Sequence, residues 1–186
     1  MNKREQLVEL AKNNTIVFIG ATAAGKDTVM RSICELTGSP ILLSHTTRPM
    51  RPGELDGVEY YFTDDQEFEA TKMVEERVYS TKGSDYKWKY GLSEKVAATR
   101  GLLILDWEGF KDFKEWRINN NLPVPVSVFV SVDKEESRRR QKQRGDYYEP
   151  EFERRWASDM KWASDAAEGS DWVWDEEWLE NTDSTS

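Results

Sequence analysis

Gly20, Gly25 and Lys26, with Thr28 just beyond, are the residues whose types and spacing carry the plainest chemistry in this chain. Two glycines five apart frame a turn whose backbone N–H groups can converge on an anion, and the lysine adds a mobile positive charge. The loop Gly20, Ala21, Thr22, Ala23, Ala24, Gly25, Lys26, Asp27, Thr28 therefore reads as a phosphate cradle. Where a Ser or Thr hydroxyl usually meets Mg2+ in such loops stands Asp27, and the hydroxyl follows at Thr28. Thr28 is the candidate Mg2+ contact, with Asp27 reaching the ion through water. A second pair of cations is Arg48 and Arg51, held on irregular backbone by Pro49, Pro52 and Gly53 so that both can meet one anion. A third group, Arg140, Arg144 and Arg155, lies in a basic stretch further on. Each group also has a plainer reading. Lys26 can be a solvated lysine on a tight turn, and Arg144 and Arg155 can be surface residues paired with Glu149 or Glu151.

The elements that must position these residues follow from the pattern around them. Ile16 to Ile19 is a short β-branched apolar run, as in a buried strand, and the segment after the loop is apolar at helical spacing until Gly38. Strand, loop and helix together place phosphate at a helix N-terminus, where it is favoured. Pro40 to Ser44 reads as a second strand and Val58 to Phe62 as a third. A helix capped at Thr63 to Asp65 runs through Phe68 toward Met73. Arg77 to Thr81 and Lys87 to Gly91 read as two strands around a turn at Gly83 to Asp85, so 44–92 forms a small inserted lobe. A short helix from Ser93 to Arg100 leads back to strands at Gly101 to Asp106 and Val124 to Val132, and this alternation indicates a parallel α/β sheet. Asp106 then sits at the strand end, where ligands bind in such sheets. A helix from Asp133 stopped at Gly145, and another opened by Glu151, make a hairpin suited to act as a lid. Asp171 to Asp175 reads as a last edge strand, with Trp178 packing from a closing helix and Asn181 to Ser186 frayed.

Composition narrows the class. A chain of 186 residues suits one folding unit, and 38% hydrophobic with 33% charged residues suits a globular protein. A net charge of −9 argues against a general nucleic-acid binder, which needs clustered positive charge. Membrane spans and a secretory leader are not expected, so the expectation is a cytoplasmic protein, monomeric or homodimeric. Cys34, the single cysteine, leaves no internal disulfide.

On these residues the chain resembles the guanylate kinases among the P-loop nucleoside monophosphate kinases. The specific stretch is Ser44, Thr46, Thr47, Arg48, Arg51, Gly53, Glu54, then Gly57, Tyr60 and Phe62; Tyr90, Gly91, Leu105, Asp106 and the arginines from Arg140 to Arg155 extend it. The resemblance implies an α/β fold: a P-loop parallel-sheet core (1–43, 93–134, 157–186), an inserted monophosphate-binding lobe (44–92) and a helical lid (135–156). It implies ATP- and Mg2+-dependent phosphorylation of GMP, dGMP or a related purine monophosphate. Arg48, Arg51, Tyr60 and Tyr90 would grip the monophosphate, and Ser44 would contact the base. Lys26, Arg144 and Arg155 would hold the ATP phosphates with Arg140 beside them, and Lys26, Arg48, Arg144 and Arg155 would carry catalysis.

The departures are specific. Ala21, Thr22 and Ala23 stand where the family has Pro-Ser-Gly, so Ala23 tests whether that backbone needs a positive φ. The family's glutamate acceptor for guanine, counted from Phe68 without a gap, falls on Tyr79, which predicts relaxed base selection. A register shift would instead supply Glu75 or Glu76, helped by Asp106 or Glu108. The Gly-Lys-Asp sequence also occurs in kinases that resemble ribose-1,5-bisphosphate phosphokinase, and catalytically inactive guanylate-kinase-like binding modules share the fold.

Overall fold

The computed structural model describes residues 2–80, 86–145 and 147–175. Helix α1 (Lys3–Asn13) starts at a capping box, with Asn2 and Glu5 bonding each other's backbone, and buries Leu7 and Ala11. Strand β1 (Ile16–Ile19) is buried throughout. After the loop, α2 (Lys26–Thr37) begins at Gly25 and ends at Gly38, both left-handed. The lobe follows as β2 (His45–Thr46), β3 (Tyr61–Phe62), α3 (Asp65–Ala70), β4 (Met73–Ser80) and β5 (Lys87–Ser93), and α4 (Glu94–Ala97) leads out of it. The remaining elements are β6 (Leu102–Ile104), α5 (Trp107–Asn119), β7 (Val126–Val130), α6 (Lys134–Arg144), α7 (Glu149–Gly169) and β8 (Trp172–Trp174).

The core sheet has the order β6-β1-β7-β8 and is parallel throughout. Ile16 and Phe18 pack with Leu7, Val29 and Ile33 on the face covered by α1 and α2, whereas Val17 and Ile19 pack with Phe110, Phe113 and Ala166 on the α5 and α7 face. Burial on both faces is why β1 reads as an unbroken apolar run rather than an alternation. The lobe has its own sheet, β3-β2-β5-β4, in which β2 and β3 are parallel and the other pairs antiparallel.

Several elements differ from the sequence reading. Pro40 to Ser44 is not a strand: Ile41 alone bridges Leu102 before the chain turns into the lobe. The expected helix toward Met73 stops at Ala70, because Thr71 is already extended. β4 consequently starts at Met73 rather than Arg77, with a bulge between Met73 and Glu75, and pairs with β5 as far as Ser80 opposite Lys87. The helix expected from Ser93 to Arg100 shrinks to α4, while α5 occupies a stretch to which the sequence assigned nothing. Buried Arg117 fixes α5 to the end of α4 by donating to the carbonyls of Ala97, Thr99 and Pro123. The turn at Gly83 to Asp85, Trp178 and Asn181 to Ser186 lie outside the described residues. No helix among the described residues is long and apolar enough to cross a membrane.

Candidate active site

The loop between β1 and α2 is shaped by close approach and by left-handed backbone. A Cβ on Gly20 would stand 2.4 Å from the Val130 carbonyl oxygen, so only glycine lets the loop leave the sheet there. Gly25 has φ 91° and Ala23 has φ 53°, so the loop does require a positive φ at a position filled by alanine. For an L-residue this conformation costs about 1–2 kcal/mol, and glycine's extra freedom in the unfolded chain returns about 0.4–1 of that. Ala23→Gly should therefore raise the melting temperature by about 1–4 °C in thermal unfolding. A fall would mean that the alanine backbone is unstrained.

Three elements brace the loop. From α6, Ser137 Oγ donates to the Thr22 carbonyl (2.7 Å), Gln141 Nε2 to Thr22 Oγ1 (2.9 Å) and an Arg140 guanidinium N–H to the Ala24 carbonyl (3.0 Å). Arg140 also pairs with Glu136, so it supports the cradle from its carbonyl side. From α7, the Asp159 carboxylate accepts the Thr22 backbone N–H at 2.7 Å. Lys26 Nζ donates to the Gly20 and Ala21 carbonyls at 2.7 and 2.8 Å. Desolvation lowers its pKa to about 8, opposed by Asp159 and reinforced by the charges of Arg155 and Arg144. The fold thus brings Lys26, Arg144 and Arg155 to one electrostatic site, although more than a hundred residues separate Lys26 from the two arginines. Ser137, Gln141 and Asp159 were missed from the sequence. Ser137 and Gln141 had a usable signal, as two of only three uncharged residues on α6, four apart and so on one face of it.

At the opening of α2, Asp27 Oδ2 accepts from Arg31 Nε at 2.8 Å on the exposed face. One carboxylate oxygen of Asp27 is thus engaged along its own helix. Thr28 is exposed on the same first turn. Asp27 also lines a cavity of about 170 Å³ together with Met30, Ser44, Glu59 and Tyr60, between α2 and the lobe.

In the lobe, Arg48 is buried and forks onto Glu54, with N···O distances of 2.9 and 2.8 Å, while a further N–H reaches the Pro49 carbonyl. Its guanidinium stands 5.5 Å from the ring centre of Tyr60. Tyr60 in turn meets Tyr90 edge to face at 5.7 Å. The Arg51 backbone N–H also donates to Glu54, and its side chain is exposed.

Strand alternation sends Glu75, Arg77 and Tyr79 to one face of β4, toward the start of α5. Glu75 is buried, its Oε2 3.1 Å from where a Cβ on Gly109 would lie, so that glycine lets the carboxylate rest on the first turn of α5. Burial raises its pKa to about 7; Arg77 opposes the shift, and Asp106 and Asp112 reinforce it. Asp106 caps α5 through the Gly109 N–H (2.6 Å) and accepts from Arg77 Nε at 3.2 Å. Tyr79 is more exposed, with its hydroxyl 3.5 Å from Asp106 and its ring 5.5 Å from Tyr90. Glu76 points to the exposed side of the strand. Of the two helpers considered for the acceptor, Asp106 or Glu108, Glu108 pairs with Lys111 on the exposed side of α5.

The chain is similar to known proteins in both sequence and fold. A family model described as guanylate kinase matches residues 12–185. A guanylate kinase from Coxiella burnetii is 32% identical over 126 residues, 64% of this chain and 58% of that protein. One from Symbiobacterium thermophilum is 39% identical over 127 residues, 64% of this chain and 56% of that protein. Another, from Alkalilimnicola ehrlichii, is 32% identical over 152 residues, 77% of this chain and 71% of that protein. The match thus spans less than three fifths of the first two relatives. The crystal structure of guanylate kinase from Anaplasma phagocytophilum superposes with a TM-score of 0.58 at 24% identity, covering 91% of this chain and 80% of that one, which shows the fold in common.

Proposed function

This chain belongs to the guanylate kinase family, and from that premise we propose that it transfers the γ-phosphate of ATP to GMP or dGMP. The observation that carries the reading is the presence of two phosphate-suited sets in one chain: Lys26, Arg144 and Arg155 at the loop, and Arg48 with Tyr60 and Tyr90 in the lobe. The two sets suit a donor triphosphate and an acceptor monophosphate. Phosphoryl transfer needs mainly positioning and charge stabilisation, with no covalent enzyme intermediate.

Arg48 has the fork to hold two phosphate oxygens once it leaves Glu54, while Tyr60 and Tyr90 supply neutral donors. Arg51, exposed on the same irregular loop, adds a second cation, and Ser44 lines the cavity beside Tyr60. We assign the guanine acceptor to Glu75 with Asp106. β4 begins early enough to place Glu75 in the lobe face against α5, and a buried carboxylate there can accept both the N1–H and the exocyclic amine. Tyr79 then forms the neighbouring wall. This assignment favours guanine selectivity over the relaxed pocket that a Tyr79 acceptor implies.

Mg2+ bound to the triphosphate would neutralise charge on its oxygens. Thr28 offers the hydroxyl, and a cation that arrives with phosphates and keeps several waters needs few protein ligands. The 44–92 lobe and the 135–156 lid are the parts expected to close on the nucleotides. A coupled assay for ADP tests the proposal: GMP or dGMP should support turnover far better than AMP, dAMP or ribose 1,5-bisphosphate. ADP formation with the sugar bisphosphate alone, or with none of these acceptors, would overturn it.

A further inference from the structure

We propose that Asp159 is the resident anion of the phosphate cradle, a carboxylate that holds the loop in the nucleotide-free protein and sets donor affinity by competing with phosphate for it. The inference rests on the phosphate-binding reading of the loop. The Thr22 N–H, one of the loop amides, is committed to Asp159 Oδ2 at 2.7 Å, across 137 residues of sequence. The charged groups felt by Asp159 are Lys26 and Arg155, which favour its ionised form, and Asp106, which opposes it. Lys26 in turn feels the negative charge of Asp159, set against the cations Arg155 and Arg144. Three cations gathered around a desolvated loop repel one another, and the Asp159 charge offsets that repulsion.

A donor phosphate makes the same demands on the loop. It needs the Thr22 N–H and the field of Lys26, and it would lie against a carboxylate of like charge. The two anions cannot share one N–H, so donor binding must displace Asp159. Arg155 and Asp159 stand four residues apart on α7 and therefore on one face of it. The movement that withdraws the carboxylate thus also re-aims the arginine. Asp159 is a determinant of donor affinity through this exchange, and α7 is the element that links it to the lid.

The experiment compares the full-length parent with Asp159→Asn and Asp159→Ala, using inorganic triphosphate as the probe in titration calorimetry at fixed pH and low salt. Both variants should bind the probe about tenfold more tightly, because the competing charge is gone. Without multivalent anions both should melt at a lower temperature than the parent, and saturating triphosphate should close that gap. Asp159→Asn keeps the shape and one acceptor oxygen, so it decides the matter should the alanine variant fail to fold. Unchanged or weaker triphosphate binding in Asp159→Asn would overturn the proposal. The readout does not depend on the acceptor: tighter triphosphate binding without turnover of any nucleotide would sink the kinase reading alone. Normal GMP turnover with weakened triphosphate binding would sink this proposal alone.

Discussion

Lys26→Ala is expected to lower the turnover number by about two orders of magnitude or more, the consequence of losing roughly 3 kcal/mol or more of oriented charge stabilisation in the transition state. The amine is well placed for that loss. It is anchored on the Gly20 and Ala21 carbonyls at the start of α2, so little reorganisation separates its resting position from a phosphate in the loop. Desolvation lowers its pKa to about 8, which means that the loop holds the cation at a cost while no anion is bound. The sign of the stability effect follows. A lysine whose folded pKa lies below its unfolded value opposes folding at neutral pH, and the opposition fades as pH rises through 8 and above. Lys26→Met should therefore be at least as resistant to thermal unfolding as the parent while nearly inactive. In the parent, kcat/KM for ATP should fall above about pH 8 as the free amine loses its proton. Near-normal turnover in a folded Lys26→Ala protein would remove the loop from the mechanism.

Glu75→Gln should cut kcat/KM for GMP by about ten- to a hundredfold and narrow the preference for GMP over AMP. A charged acceptor in a dry pocket contributes about 1.5–3 kcal/mol, and an amide can accept one bond only by presenting a donor beside it. Tyr79→Phe should change the same ratio by less than about threefold, no more than one weak neutral hydrogen bond is worth. Unchanged selectivity in Glu75→Gln with a large change in Tyr79→Phe would return the acceptor to Tyr79. Glu75 also gives the protein a pH signature. With its pKa raised to about 7 from 4.5, chiefly by burial, the folded protein keeps a proton that the unfolded chain releases. That stabilisation is fully present below about pH 4.5 and is lost as pH rises through 7, about 3 kcal/mol in all at 1.36 kcal/mol per pKa unit. Urea unfolding of the parent should show this decline between pH 5 and 8, and Glu75→Gln should lack it. The ionised acceptor is the one guanine needs, so KM for GMP should fall over the same interval.

The sequence by itself determined what is written in short-range contacts. Gly20, Gly25 and Lys26 define the loop because its geometry is made by neighbouring backbone, and Gly38, Asp133 and Gly145 mark helix limits because caps act within one turn. The unbroken run of β1 announced a strand buried on both faces for an equally local reason. Base recognition was not legible in this way. Glu75 and Tyr79 share one face of β4, and which of them lies deepest against α5 depends on where β4 begins, fixed by pairing with β5 and by the fit of the Glu75 carboxylate over Gly109, 34 residues onward. A one-residue slip would turn the whole face outward, yet no residue within β4 records which register its partners impose. Pro40 to Ser44 has strand composition, but it makes only an isolated β-bridge, between Ile41 and Leu102. Asp159 carries no local mark at all: it is one acid among several on a long helix, and only the packing of α7 against the loop brings it to the Thr22 N–H.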